Sequence, residues 1–202
     1  MNTENIIILN LSEFDVDNIG DDISSIISDF SCPLNKDVEY FLHNNATEFT
    51  KKKQSVTYLV LSAENAQLLG YFSLTIKPIT LTINKNTNIS NTMRKKIERV
   101  SKFDEYTNSY TLAAYLIAQL GKNFSKNLCG FIDGSDLLSL AIEKIKEAQN
   151  IVGGVAVFLE AEDNKKLLDF YKNKNGFIEF GTRMSEVSGE PHVLIQMIRI
   201  LK

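Results

Sequence analysis

The apolar positions along this chain form short runs and helically spaced stripes, which predict strands alternating with helices. Residues 6–9 form a short apolar run, as expected of a buried strand. Apolar residues then recur at helical intervals over residues 16–30, until Pro33 ends the pattern. A second helix is predicted from Asp37 toward the lysines at 51–53, since cations suit the C-terminus of a helix. The chain therefore opens with a strand followed by two helices.

The middle of the chain predicts the sheet. Residues 56–62 and 68–76 are rich in β-forming side chains, and the connection between them is short enough for an antiparallel hairpin. Residues 111–120 are almost continuously apolar, which favours a strand buried on both faces. The polar and charged residues 80–110 are predicted to be an insertion that contains a short helix.

The C-terminal part alternates both kinds of element. An apolar stripe over residues 136–148 predicts a helix that Asp133 or Ser135 caps. The remaining predicted elements are a strand at 155–159, a helix at 164–174 that ends at Gly176, and strands at 177–184 and 193–201. Hairpins combined with crossover helices predict a mixed sheet in an α/β fold of the α+β mixed kind, built as a single domain over residues 1–202.

The composition narrows the class of protein without revealing its chemistry. The 202 residues are 44% hydrophobic and 23% charged, which is typical of one soluble globular domain. A net charge of -3 does not attract the protein as a whole to nucleic acid or to an anionic membrane. Cys32 and Cys129 lie far apart and show no metal-type spacing with His43 or His192, so we expect no metal. The start of the chain shows no signal-peptide pattern, which predicts a cytoplasmic protein without a membrane partner.

Two segments suggest a ligand. The apolar strand that ends at Gly121 leads through a loop with Gly130 and Gly134 into the helix that starts near Ser135, an arrangement that suits a phosphate because amides at a helix start face the anion. Ordinary connections share this pattern, so it does not decide the function by itself. The second segment places Asn164 and Tyr171 seven positions apart, on one face of a predicted helix.

Together with the sequence Asn175-Gly176-Phe177, these segments resemble the GNAT superfamily of acetyl-coenzyme A-dependent N-acetyltransferases, over roughly residues 55–200. The resemblance implies a mostly antiparallel sheet of six to seven strands, flanked by helices, with splayed central strands. It also implies that acetyl-CoA is the acyl-donating cosubstrate and that a primary amine, on a small molecule or a macromolecule, is the acceptor. Related enzymes often pair as dimers, so a homodimer is expected.

The resemblance also assigns roles to residues. The backbone of Leu120 and Lys122 would pair with the pantetheine arm, and the loop amides would hold the pyrophosphate, which here means the residues Gly130, Ile132, Gly134 and Ser135. The family loop is usually written Gln/Arg-x-x-Gly-x-Gly/Ala, whereas this chain has Cys129 at the first position and Ile132 at the middle glycine. Half of the loop pattern therefore departs from the family.

The catalytic roles are divided among few candidates. Tyr171 matches the family tyrosine beside the coenzyme sulfur and would protonate the leaving thiolate, although a tyrosine on an amphipathic helix also suits a core. Asn164 would bind the pantetheine arm, cap its helix, or do both. Glu160 or Glu162 could serve as the base, directly or through water, although carboxylates at strand ends are usually just solvated.

The acceptor stays open between two enzymatic hypotheses and one without catalysis. Residues 70–74, 93–96 and 115–120 resemble the branch containing toxin acetyltransferases, which modify the amino group of aminoacyl-tRNA. That hypothesis needs cations for the RNA backbone, and the available ones are Lys51, Lys52, Lys53, Arg94, Lys95, Lys96 and Arg99. A general amine acetyltransferase fits the negative net charge, and a coenzyme-binding module without activity fits the altered loop.

Overall fold

The computed structural model describes residues 5–14, 21–84, 89–125, 131–185 and 191–201. The strands among them are β1 (Ile6–Asn10), β2 (Val56–Ser62), β3 (Leu68–Thr82), β4 (Phe103–Asp104), β5 (Ser109–Lys122), β6 (Ala156–Glu162), β7 (Ile178–Ser185) and β8 (His192–Ile200). The α-helices are α1 (Asp21–Ser28), α2 (Lys36–Tyr40), α3 (Ala46–Lys51), α4 (Asn91–Ile97), α5 (Gly134–Val152) and α6 (Lys165–Asp169). Each strand and helix predicted from the periodicity of the sequence has a counterpart here, with shifted ends.

One mixed sheet carries all eight of these strands, in the order β1-β2-β3-β5-β6-β8-β7, with β4 paired to β5. β5 and β6 run parallel, whereas β1–β2, β2–β3, β4–β5, β6–β8 and β7–β8 are antiparallel pairs. The parallel pairing covers Tyr115–Val157 and Leu116–Phe158, although both strands extend further. The prediction of a mixed, mostly antiparallel sheet with splayed central strands is confirmed. The extra strand beyond the predicted six to seven is β4, which is only two residues long.

Two helices contain a wider turn that the sequence pattern did not predict. Residues Phe41–Asn45 form a π-helical turn between α2 and α3, and residues Phe170–Lys174 form another after α6. Gly176 follows the second turn with a φ of 68°, so the predicted helix-ending glycine is confirmed. Each π-helical turn changes the angular phase of the side chains that follow it.

The chain divides into two compact units. The first comprises Met1–Thr75 and Ile117–Glu143, and the second comprises Ile76–Leu116 and Lys144–Lys202. In the first unit, the helices α1 to α3 pack on β2 and β3 through a core that includes Phe30, Leu42 and Tyr71. In the second unit, the centre is formed by fully buried side chains of β6 and β8, among them Val157 and Ile198. None of the described helices combines the length and the apolar character that crossing a membrane requires.

The segment predicted to be an insertion is anchored within the second unit by three contacts. The Ile97 side chain at the end of α4 is fully buried. The Lys96 Nζ donates to the Leu201 carbonyl at 3.0 Å, and the Tyr110 hydroxyl donates to Glu98 Oε1 at 2.8 Å. These contacts fix α4 against the strand β5 and the end of β8.

Candidate functional site

The end of β5, where the pantetheine arm was predicted to bind, is closely packed at one glycine. A Cβ at position 121 would lie 2.5 Å from Val38 Cγ1 and 2.9 Å from Tyr71 Cε1. Only glycine therefore lets the helical layer approach the strand this closely. Leu120 and Lys122 flank this position with half-buried side chains, and Lys122 Nζ lies 5.8 Å from the centre of the Phe124 ring.

The next residue, Asn123, connects three segments of the first unit, and the sequence analysis missed it. Its side chain is 1% exposed and accepts hydrogen bonds from the Ser31 N–H at 3.0 Å and from the Ser125 N–H at 2.9 Å. Its amide donates to the Leu68 carbonyl at 2.8 Å. Ser31 and Leu68 are 92 and 55 positions away, so no local pattern in the sequence indicates this role. Asn123 fixes the chain directly after the predicted pantetheine contacts.

Two aspartates cap the start of α5 reciprocally. Asp133 Oδ1 accepts from the Asp136 N–H at 2.9 Å, while Asp136 Oδ2 accepts from the Asp133 N–H at 3.0 Å. This is a capping box with a carboxylate at both positions, and it confirms Asp133 as the helix cap. The two carboxylates place negative charge where the phosphates were predicted to bind.

Two amides at this helix start remain available for an anion. Gly134 and Ser135 occupy the first two helical positions, and neither of their N–H groups donates to a described residue. The Ile132 side chain is buried, so this residue can offer only its backbone to a ligand. Gly130 and Cys129, which were assigned to the same loop, lie outside the described residues.

Tyr171 lies in the π-helical turn of the second unit and is 8% exposed. Its ring makes edge contacts with Phe170 and Phe177, at centroid distances of 5.0 and 5.8 Å. Among the described residues, none hydrogen-bonds to its hydroxyl. Burial raises the pKa of Tyr171 to about 12, so the hydroxyl keeps its proton even near pH 10, where an ordinary tyrosine ionises. A π-helical turn is a common feature of functional sites.

Solved structures with the same architecture belong to bacterial toxins. A tyrosine-to-phenylalanine mutant of KacT is 21% identical at a TM-score of 0.61, covering 95% of this chain and 94% of KacT. The AtaT toxin complexed with acetyl-methionyl-tRNAfMet is also 21% identical, at a TM-score of 0.60 and with 95% and 94% of the two chains covered. The chain has the GNAT fold.

A third similar structure contains a coenzyme. It is a tyrosine-to-phenylalanine mutant of the AtaT toxin bound to acetyl-CoA and to the C-terminus of the antitoxin AtaR. It is 17% identical at a TM-score of 0.58, and the similarity covers 97% of this chain and 93% of the toxin. No protein-family model and no curated protein matches the sequence.

Asn164 caps α6 in this GNAT fold instead of lying on its face. Its backbone is extended, with φ -120° and ψ 120°, and its Oδ1 accepts from the N–H groups of Lys166 and Leu167 at 3.0 and 3.4 Å. The prediction that Asn164 and Tyr171 share one helical face is wrong, because the cap and the π-helical turn interrupt the seven-residue repeat. Asn164 Nδ2 makes no hydrogen bond to a described residue and can still donate to a ligand.

The candidate base Glu160 is engaged in a polar network across three strands of the second unit. Arg183 Nε lies 2.9 Å from both carboxylate oxygens, and Gln196 Nε2 donates to Oε1 at 2.9 Å. These bonds stabilise the carboxylate and occupy the lone pairs that a base would use. Glu162, the other candidate, is exposed at the end of β6.

The cations that were considered for RNA binding differ in availability. Lys51 and Lys52 pair with Glu48 at 3.6 and 3.5 Å, and Lys96 is bound to a backbone carbonyl. Lys53, Arg94, Lys95 and Arg99 are exposed and form no ion pair with a described acidic residue.

Proposed function

We propose that this chain is an N-acetyltransferase that transfers the acetyl group of acetyl-CoA to a primary amine. The observation that carries the proposal is the Tyr171 side chain, whose ring is packed between Phe170 and Phe177 and whose hydroxyl has no partner among the described residues. Its place in the GNAT fold supports a role as the general acid, since thioester aminolysis needs a proton donor for the leaving sulfur. Tyr171 is therefore our candidate catalytic residue.

The coenzyme contacts in this proposal are mostly backbone groups. The amides of Gly134 and Ser135 would hold the pyrophosphate, together with the backbone of Gly130 and Ile132 in the preceding loop. The edge of β5 at Leu120 and Lys122 would pair with the pantetheine amides, and Asn164 Nδ2 would donate to the same arm. The altered glycine pattern of the loop matters less under this proposal, because amides and not side chains meet the phosphates.

The reaction that follows is a direct transfer. Acetyl-CoA supplies the acetyl group as a thioester. The neutral amine forms a bond to the acetyl carbon, the bond between that carbon and sulfur breaks, and Tyr171 gives its proton to the departing thiolate. The amine nitrogen loses one proton to a base and becomes an amide, and a proton from the solvent then restores the Tyr171 hydroxyl. Because Glu160 is bound by Arg183 and Gln196, we propose that water accepts the proton that the amine loses.

The amino group of aminoacyl-tRNA is the acceptor that a specific observation favours. One similar structure is the AtaT toxin complexed with acetyl-methionyl-tRNAfMet, and another is bound to the antitoxin AtaR. We propose by analogy that this chain acetylates charged tRNA in the cytoplasm, that an antitoxin binds it, and that it forms a homodimer. Exposed cations in the segment around α4 support the tRNA alternative.

Calorimetric titration with acetyl-CoA, with free pantetheine as the control ligand, tests the proposal. We expect binding that requires the pyrophosphate, and we expect Gly134→Val to weaken it at least about tenfold because a branched side chain crowds the two amides. Ser139→Val, at an exposed position on the same helix, is the matched control and should bind normally.

The same titration measures how the negative charge of the carboxylate cap affects acetyl-CoA binding. Asp136→Asn keeps an oxygen that can accept from the Asp133 N–H but removes a negative charge, so it should bind acetyl-CoA several-fold more tightly at low salt. Glu143→Gln, further along α5, should leave the affinity unchanged. Equal affinity for acetyl-CoA and pantetheine would contradict the proposed coenzyme site, and binding without turnover would favour the non-catalytic module.

A further inference from the structure

The loop between β4 and β5 presents a tyrosine on a fixed backbone. Asp104 Oδ1 accepts from the N–H groups of Tyr106 and Thr107 at 2.8 and 3.3 Å. The bonds from Thr107 and Tyr106 lower the pKa of Asp104, which keeps its carboxylate charged and the turn closed. Asn108 closes the turn with a φ of 49°. The Tyr106 side chain at the tip is 100% exposed.

The base of this hairpin is joined to the end of α4. Phe103 is 38% exposed, and its ring centroid lies 5.0 Å from that of Tyr110. The Tyr110 hydroxyl donates to Glu98 Oε1 at 2.8 Å, directly after the helix. Burial is the main cause that raises the pKa of Tyr110, and the Arg94 charge nearby acts in the opposite direction. Tyr110 therefore links the aromatic hairpin to the basic helix.

The same segment of the chain carries exposed cations. The exposed side chains of Arg94, Lys95, Arg99 and Lys102 form no ion pair with any residue that the structure describes. Glu98 accepts from Tyr110, Asp104 closes the turn and Glu105 is exposed, so residues 94–106 carry five cations against three carboxylates. A positive local surface thus exists on a chain whose net charge is -3.

We propose that this surface, which we define as Arg94, Lys95, Arg99, Lys102 and Tyr106, binds a single-stranded segment of RNA. The cations track the phosphates, and the Tyr106 ring stacks on an unpaired base. Charge complementarity favours RNA over an apolar polypeptide, because residues 94–106 have two more cations than carboxylates and carry a fully exposed tyrosine ring. The inference rests on the tRNA alternative of the proposed function, in which the acceptor is an RNA with an unpaired end.

Fluorescence anisotropy of a labelled single-stranded RNA of about twelve nucleotides, with uncharged tRNA as a second ligand, tests this surface. Tyr106→Ala should weaken binding about fivefold to a hundredfold, whereas Tyr106→Phe retains the stacking ring and should stay within about twofold of the wild type. Tyr40→Ala is the matched control, because Tyr40 is 60% exposed on α2 in the first unit and should not affect binding.

The electrostatic contribution is tested by Arg99→Gln combined with Lys102→Gln. Loss of two phosphate contacts should reduce the slope of log affinity against log salt by about 1.4. An unchanged affinity in Tyr106→Ala, or an unchanged salt slope in the double variant, would overturn the proposal. If RNA does not bind and these variants instead lose a polypeptide partner, the surface belongs to a protein contact and the proposal is also overturned.

Acetyl-CoA titration of the same variants separates this inference from the proposed function. Hairpin variants that bind acetyl-CoA normally but lose RNA support the inference. If the wild type binds acetyl-CoA normally but does not bind RNA, the RNA surface is contradicted and the acetyltransferase proposal is unaffected. RNA binding that depends on Tyr106 in a protein unable to bind acetyl-CoA would support the surface and sink the acetyltransferase.

Discussion

At the scale of single residues, the chemistry of this protein depends on what surrounds each polar atom. Burial disfavours the charged phenolate of Tyr171 and raises the pKa of its hydroxyl to about 12. Asp133 and Asp136 hold each other's amides and leave those of Gly134 and Ser135 for a ligand. Glu160, one of the two candidate bases, is bound to Arg183 and Gln196.

Replacing Tyr171 by phenylalanine separates catalysis from packing. Tyr171→Phe keeps the ring contacts with Phe170 and Phe177 and removes only the proton donor, so we expect transfer to slow by about 10²- to 10⁴-fold at neutral pH. Thermal unfolding and acetyl-CoA affinity should be nearly unchanged. The measurement is the rate of free thiol release with a saturating amine acceptor.

The pH dependence gives an independent check on the same residue. A tyrosine with a pKa of about 12 does not ionise near pH 10, so the wild-type rate should not fall through pH 10 from loss of this proton. The Phe177→Leu variant, which changes the packing beside Tyr171 and keeps the hydroxyl, is the control. Turnover by Tyr171→Phe equal to that of the wild type would remove Tyr171 from the mechanism.

At the scale of elements, long-range contacts decide where strands and helices are held. The sequence pattern predicted β5, α5 and the helix-ending Gly176, because burial on two faces, an apolar stripe and a left-handed glycine are all local signals. Periodicity did not predict the π-helical turns, since it assumes one constant angle per residue. β3 extends past Pro78 because β2 pairs no further than Leu74, so the missing N–H interrupts no bond to that strand.

For the candidate site too, the sequence predicted the local features and missed those that depend on distant residues. Asp133 as a cap and the two amides of α5 follow from neighbours in the chain. The bonds of Asn123 to Ser31 and Leu68 do not, because these residues are 92 and 55 positions away, and the partners of Glu160 are 23 and 36 positions away. The sequence alone offered Asn123 only as a polar residue after an apolar strand. The sequence does not indicate which carbonyl and which amides hydrogen-bond to the Asn123 side chain.

Removing the Asn123 side chain should loosen the three segments that it joins. Asn123→Ala removes a partner from two partly buried N–H groups and from the buried Leu68 carbonyl, so we expect the free energy of unfolding to fall by about 2–4 kcal/mol. Urea unfolding measures this loss. Asn173→Ala removes one exposed hydrogen bond to Asp169 and should cost less than about 0.5 kcal/mol. A similar small loss in both variants would show that Asn123 is not a structural centre.

At the scale of the whole molecule, the question is whether the two units unfold together. The elements β3, β5 and α5 each contribute residues to both units. An element with residues in both units favours cooperative unfolding, because melting one end of a strand or helix destabilises the remainder. The single domain predicted from the sequence would then correspond to one cooperative transition.

Equilibrium unfolding by urea distinguishes one domain from two. We expect far-UV circular dichroism and tyrosine absorbance to report the same midpoint within error. Asn123→Ala should shift both signals equally, although Asn123 belongs to the first unit only. Two midpoints, or a shift confined to one signal, would mean that the units are separate domains.

The hydrogen bond from Lys96 to Leu201 joins two residues that the ribosome adds at very different times. The carbonyl that Lys96 binds is synthesised 105 residues after the lysine itself. A nascent chain can form α4 and the bond from Tyr110 to Glu98 before Leu201 has been synthesised, but the Lys96 contact forms only afterwards. A chain truncated before Leu201 should therefore hold α4 less firmly than a chain that contains this carbonyl.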